Sequence, residues 1–139
     1  MHRRTLLAAL AALPALSLPA FAGGSTVDYT PGVIETALAQ GKTVFVDYAA
    51  DWCSTCARQE RILGQLRDEN PAYDQNILFV RVDWDEYGRA PVATSRKIPR
   101  RSTLIVLKGD QELGRIVAGT GQSQIKALMD KALAAAQSS

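Results

Sequence analysis

Three short apolar runs interrupt the polar background of this chain, and each has the length of a strand. Thr43–Tyr48 and Ile77–Val82 are almost continuous in β-branched, aromatic and aliphatic residues, the pattern of strands covered on both faces. Thr103–Leu107 is a third such run. Lys108 to Gln111 reads as a turn, and Glu112 to Val117 as the returning partner of a hairpin. Elsewhere the apolar period lengthens from two to about 3.6, the period of a helix. Val33, Ile34, Ala37 and Leu38 repeat at that spacing. Thr30 as N-cap and Pro31 at the first helical position open that helix, and Gly41 ends it. A second helix is predicted from Cys56 to about Asn70. Ile62, Leu63 and Leu66 face inward there, and Arg58, Glu60, Arg61 and Arg67 outward, before Asn70-Pro71 breaks it. Gln122 to Ala136 is a closing amphipathic helix with Ile125, Leu128, Met129 and Leu133 on one face. Asp83 to Pro91 reads as a polar loop bearing Trp84, followed by a short helix over Val92 to Arg96.

The order is helix, strand, helix, strand, helix, strand, strand, helix. Early crossovers make the first strands parallel, and the terminal hairpin adds an antiparallel pair. The expected fold class is α/β, one central mixed β-sheet flanked by helices on both faces. Internal repeats are absent.

The first residues follow a different logic. Met1-His2-Arg3-Arg4 is basic, Thr5 to Leu18 is mostly Leu and Ala around Pro14, and Ala20-Phe21-Ala22 has the small-x-small form of a cleavage site. Residues 1–22 read as a secretory signal peptide, too short and too broken by proline for a membrane span. An uncleaved N-terminal anchor is the alternative. Arg3-Arg4 also fits a twin-arginine signal. The expected location is the periplasm, with no stable membrane insertion after cleavage. Residues 23–30 read as a flexible lead-in and 31–139 as the domain. Cleavage leaves 117 of the 139 residues, enough for one core and too few for two domains.

Charge then changes the picture. The whole chain carries a formal +2 from 16 basic and 14 acidic residues. Arg3 and Arg4 account for that excess, so the exported domain is neutral, which argues against bulk nucleic-acid binding.

The chemistry concentrates in two residues. Cys53 and Cys56 are the only cysteines, spaced C-x-x-C directly after Asp51-Trp52 and the first strong strand. A leading thiol at a helix N-terminus lies over unpaired N–H groups that favour the thiolate, the form that attacks a disulfide. An exported protein with a single, local cysteine pair uses it as a working dithiol, since closing so short a loop adds little stability.

These residues resemble the thioredoxin family from about Pro31 to Ala136. Val44 to Cys56, ending in Ala-Asp-Trp-Cys-Ser-Thr-Cys, is similar to that family's strand and active-site turn, and Thr103 to Gly109 to its later strand. The Ala-Asp-Trp-Cys wording is especially similar to the C-terminal domain of the bacterial transmembrane disulfide reductase. The resemblance implies a thioredoxin-like fold and a protein-disulfide reductase activity with no dissociable cofactor. Cys53 would be the attacking thiolate, Cys56 the resolving thiol, and Asp47 the buried acid that takes its proton. A carboxylate in an apolar strand has a raised pKa and suits that role, whereas a solvated position at a sheet edge would not. Trp52 would pack beside the motif and shield it. Trp52, Arg101, Ser102 and Thr103 would form the substrate-binding positions. Protein disulfides would be the substrates, and a membrane-bound thiol–disulfide protein the electron donor. Oligomeric state is not encoded in any feature found.

The chain departs from the family at Ser102. There the family carries a cis-proline facing the dithiol; Pro99 stands three residues early. A cis bond before a residue other than proline costs roughly 3–4 kcal/mol, so a trans Arg101–Ser102 bond is expected. A serine at this place leaves its hydroxyl free to contact Cys53 or lets a metal approach. Two further readings therefore use the same residues: a copper-handling protein, and a thioredoxin-like binding module that catalyses weakly. Two cysteines alone cannot close a tetrahedral zinc site. Arg96, Lys97, Arg100 and Arg101 form a basic cluster beside Ser102, which either lowers the Cys53 pKa and favours acidic partners or is simply solvated.

Overall fold

The computed structural model describes residues 25–138. The export signal read from residues 1–22 lies outside them. Strand β2 (Thr43–Ala49), buried along its whole length, is the axis of the sheet. It pairs in parallel with β3 (Ile77–Asp83), with Asp47 opposite Arg81, and antiparallel with β4 (Thr103–Lys108), with Asp47 opposite Leu104. β5 (Gln111–Val117) pairs antiparallel with β4. A short β1 (Val27–Asp28) pairs in parallel with the outer edge of β3. The strand order is β1-β3-β2-β4-β5. The mixed α/β architecture is the expected one.

Period-two alternation sends the side chains of β2 to two cores. Phe45, with Phe79 and Leu104, meets Leu63 and Leu66 of α2 (Ser54–Glu69), Tyr73 of α3 (Ala72–Asn76) and Ile125, Leu128 and Met129 of α6 (Gln122–Gln137). Val44, Val46 and Tyr48 meet Ile34 and Ala37 of α1 (Val33–Ala39), Val92 and Ala93 of α5 (Pro91–Thr94), and Trp84 of α4 (Trp84–Tyr87). Helices thus cover both faces.

Several elements differ from the sequence reading. Helix α1 starts after Gly32, at φ 94°, and Thr30 contributes its backbone carbonyl instead of a side-chain cap. The chain leaves α1 through Gly41 at φ 79°, a conformation that favours glycine. β1 lies in the segment read as a lead-in. Asn70-Pro71 does end α2, but the chain turns at once into α3, with the Asn70 side chain accepting from Ala72 N–H. The polar loop after β3 contains α4, because Asp83 accepts from Asp85 N–H and caps it. The short helix that follows is α5, which ends at Thr94. Arg67, expected outward, lies over the Phe79 ring and is paired with Asp74 at 2.6 Å. Among the described residues no helix is long and apolar enough to cross a membrane.

Candidate active site

Cys53 is the N-cap residue of α2, and its sulfur accepts the Cys56 N–H at 3.2 Å. Extended backbone at Cys53 turns the chain from β2 into the helix, so the C-x-x-C spans the first helical turn. The two cysteines form a disulfide with Cα atoms 5.2 Å apart. Ala49, Ala50, Cys53 and Cys56 make a small buried cluster, against which Trp84 packs.

The sequence pointed to Trp52 as the shield of this motif. In the structure Trp52 is 62% exposed and does not belong to the buried cluster around the cysteines. Its indole N–H donates to both Asp85 carboxylate oxygens, at 3.1 and 2.9 Å, and the Arg101 guanidinium lies 4.3 Å from its ring centroid. Trp84 does the packing, because α4 carries it back over the end of β2. Its signal in the sequence was an aromatic residue inside a polar stretch.

Asp47 faces α2 from β2, in a cavity of about 250 Å³ shared with Phe45, Glu60, Arg67, Phe79 and Arg81. It is buried, and its Oδ1 has no hydrogen-bond partner among the described residues. Loss of hydration raises its pKa from 3.8 to about 7, Glu60 adds to the rise, and Arg81 opposes it. Arg81 is itself held by Glu60 and Asp51, each at 3.0 Å.

Ser102 directly precedes β4 and reaches the two sulfurs. The peptide bonds of the described residues are all trans, and Ser102 adopts φ 62°. Its hydroxyl is 3.2 Å from Cys53 Sγ and 3.0 Å from Cys56 Sγ. Its N–H donates to Tyr48 O at 2.7 Å, and its carbonyl accepts from Ala118 N–H at 2.8 Å and Gln59 Nε2 at 3.0 Å. Thr103, next in the chain, is buried and donates its hydroxyl to Arg100 O at 2.7 Å. The basic cluster divides. Arg101 joins Trp52, Arg100 Nε donates to the Arg101 carbonyl, and the carbonyls of Arg96 and Lys97 accept from Arg115 of β5.

Gln59 was missed in the sequence. It is fully buried and donates to both Ser102 O and Gly119 O, at 3.0 and 2.9 Å. The available signal was its place in the inward stripe Cys56, Gln59, Leu63, Leu66 of α2. A polar residue in an apolar stripe needs buried partners.

Comparison with known proteins agrees with this geometry. Residues 27–114 match the family model described as thioredoxin-like. The chain is 30% identical over 97 residues to thioredoxin-1 of Saccharomyces cerevisiae, covering 70% of this chain and 87% of that protein. It superposes on the crystal structure of Trxlp from Edwardsiella tarda with a TM-score of 0.64 and 32% identity, over 75% of this chain and 98% of that one. It is also 27% identical over 101 residues to the thiol:disulfide interchange protein DsbD of Pseudomonas fluorescens; this takes in 72% of the chain but 17% of that longer protein. The fold and the dithiol define a thiol–disulfide oxidoreductase. The chain belongs to the thioredoxin-like family.

Proposed function

We propose that this protein is a periplasmic reductase of protein disulfides, working through Cys53 and Cys56. The observation that carries the reading is the position of the Cys53 sulfur, at the start of α2 and hydrogen-bonded to the Cys56 N–H. A helix N-terminus favours a thiolate there. The Cys53 thiolate attacks a substrate disulfide, forming a Cys53–substrate bond and releasing one substrate thiolate. Asp47 takes the Cys56 proton, which suits a carboxyl with a pKa of about 7. The Cys56 thiolate then attacks Cys53 Sγ, closing the intramolecular disulfide and releasing the second substrate thiolate. Two electrons pass to the substrate, and an external dithiol must replace them.

For that donor we propose a membrane-bound thiol–disulfide protein. The support is the Ala-Asp-Trp-Cys stretch and the partial match to a thiol:disulfide interchange protein. The platform of Trp52, Arg101 and Asp85 beside the dithiol is the proposed contact surface for substrate. The periplasmic location is supported by the composition of residues 1–22.

Reduced protein should reduce insulin disulfides catalytically, and Cys53→Ser should not. A wild type no faster than Cys53→Ser would remove the reductase reading. Fusing residues 1–22 to a reporter active only in the periplasm should yield activity; an inactive fusion would remove the location.

A further inference from the structure

The Ser102 hydroxyl is placed as a catalytic group rather than as a filler. It is fully buried and within hydrogen-bond distance of both sulfurs. It is not free to drift, because its residue is tied by two backbone hydrogen bonds, to Tyr48 of β2 and to Ala118, and by one from the Gln59 side chain of α2. Its φ of 62° is unfavourable for a serine, and such outliers persist where the surroundings over-determine them. A hydroxyl offers one donor and two acceptor sites. Sulfur in a disulfide is a weak acceptor, and a thiolate is a strong one.

We propose that Ser102 Oγ–H is a single donor that follows the negative charge from one sulfur to the other. This rests on the reading of Cys53 as the attacking thiolate. In the reduced protein the hydroxyl donates to the Cys53 thiolate, alongside the Cys56 N–H, while its lone pair accepts from the Cys56 S–H. Once Cys53 is bonded to substrate its charge is gone. The Cys56 proton leaves for Asp47, and the hydroxyl turns to donate to the Cys56 thiolate. No proton is gained or lost by Ser102, and both sulfurs lie in reach without movement of its backbone.

Among the charged residues on the elements around the pair are Asp47 on β2, Arg58 and Glu60 on α2, Arg81 on β3, Asp85 on α4, and Asp51 and Arg101 in the adjoining turns. Among the described residues the hydrogen bonds to the sulfurs come from Ser102 and from the Cys56 backbone. The hydroxyl is therefore the one side-chain dipole in direct contact with the charge.

The test compares Ser102→Ala and Ser102→Gly with wild type in the full protein. Both remove the hydroxyl. Glycine relieves the positive φ and alanine does not, so stability separates from redox chemistry. The Cys53 pKa, read from thiolate absorbance against pH, should rise by about one unit in both variants, given the strength of a hydrogen bond to a charged group. Above that pKa the equilibrium with a reference dithiol should shift tenfold toward the disulfide form, a potential lower by about 30 mV.

Alkylation of Cys53 should show a crossing. Below the pKa the variants react about threefold more slowly, because the tenfold loss of thiolate outweighs the gain in intrinsic nucleophilicity. Above the pKa they react about threefold faster. A merely structural serine would move neither the pKa nor the crossing point. Unchanged values in both variants would overturn the proposal, as would shifts in Ser102→Ala that Ser102→Gly lacks. These readouts need no turnover. A wild type inactive on insulin that still shows the Ser102 shifts would sink the reductase reading and leave the hydroxyl's role standing.

Discussion

Asp47 and Ser102 stand in two unlike regions of the molecule. On the Asp47 side there is space and charge: a cavity of about 250 Å³, a buried carboxyl, and the Glu60–Arg81–Asp51 chain leading outward. At Ser102 the group facing the sulfurs is uncharged. It is a hydroxyl on a residue pinned through its backbone by Tyr48, Ala118 and Gln59. The difference divides two tasks. Moving a proton needs a group whose pKa lies near the working pH and a route to solvent. Holding a thiolate needs a fixed dipole that does not itself change charge. A second carboxylate at the Ser102 position would repel the charge it had to hold.

The largest expected effect comes from silencing the first side. Asp47→Asn should lower kcat for insulin reduction by roughly 10²-fold or more, the usual scale of lost acid–base help. In wild type the resolving step should quicken as pH rises through about 7, and in the variant that limb should vanish. An unchanged profile would show that another group takes the proton.

The same substitution should act on stability with the opposite sign. A carboxyl whose folded pKa is raised keeps its proton in the folded state longer than in the unfolded chain. Wild-type stability should therefore fall as pH rises from about 4 to about 7 and then level off. The total loss is at most ~4 kcal/mol, and Asp47→Asn should escape it. Denaturant unfolding at pH 4 and pH 8 measures both. A variant that tracks wild type at each pH would deny that Asp47 is buried as a titrating acid.

The second side is tested through Gln59. Gln59→Leu leaves the buried Ser102 carbonyl and the half-buried Gly119 carbonyl without their side-chain donor. It should cost ~1–3 kcal/mol and loosen the Ser102 hydroxyl from the sulfurs. Thermal unfolding checks the first, and the Cys53 pKa, expected to move upward, the second.

The smallest effect belongs to a residue outside both regions. Trp52 is mostly exposed, so Trp52→Ala should change stability by about 0.5 kcal/mol or less. Its mark should be a higher KM for protein substrates. A large stability loss would mean that Trp52, and not Trp84, covers the dithiol.

Much of this arrangement was legible in the chain. The unbroken apolar run of β2 announces a strand covered twice, and a C-x-x-C at its end places a dithiol where a helix begins. Asp47 stands out as a charge inside that run. The short elements were not legible. α3 and α4 have too few residues for a period to declare itself, and a side-chain cap from Asp83 decided α4. β1 has two residues and exists only because β3 offers it an open edge. Trp52 and Trp84 carry equal local signals, and only the path of α4 decides which one packs on the cysteines.

By itself the sequence determined the three central strands and the closing hairpin, a mixed sheet with helices on both faces, and the dithiol at the β2–α2 junction. These rest on local periodicity and on spacing within one helical turn. Only the tertiary structure decided that Ser102, 46 residues beyond Cys56, touches both sulfurs, and that Gln59 holds it there. It also decided that Asp47 titrates near neutrality. Desolvation and hydrogen bonding belong to groups that meet across the fold, and no one segment carries them before the others have packed.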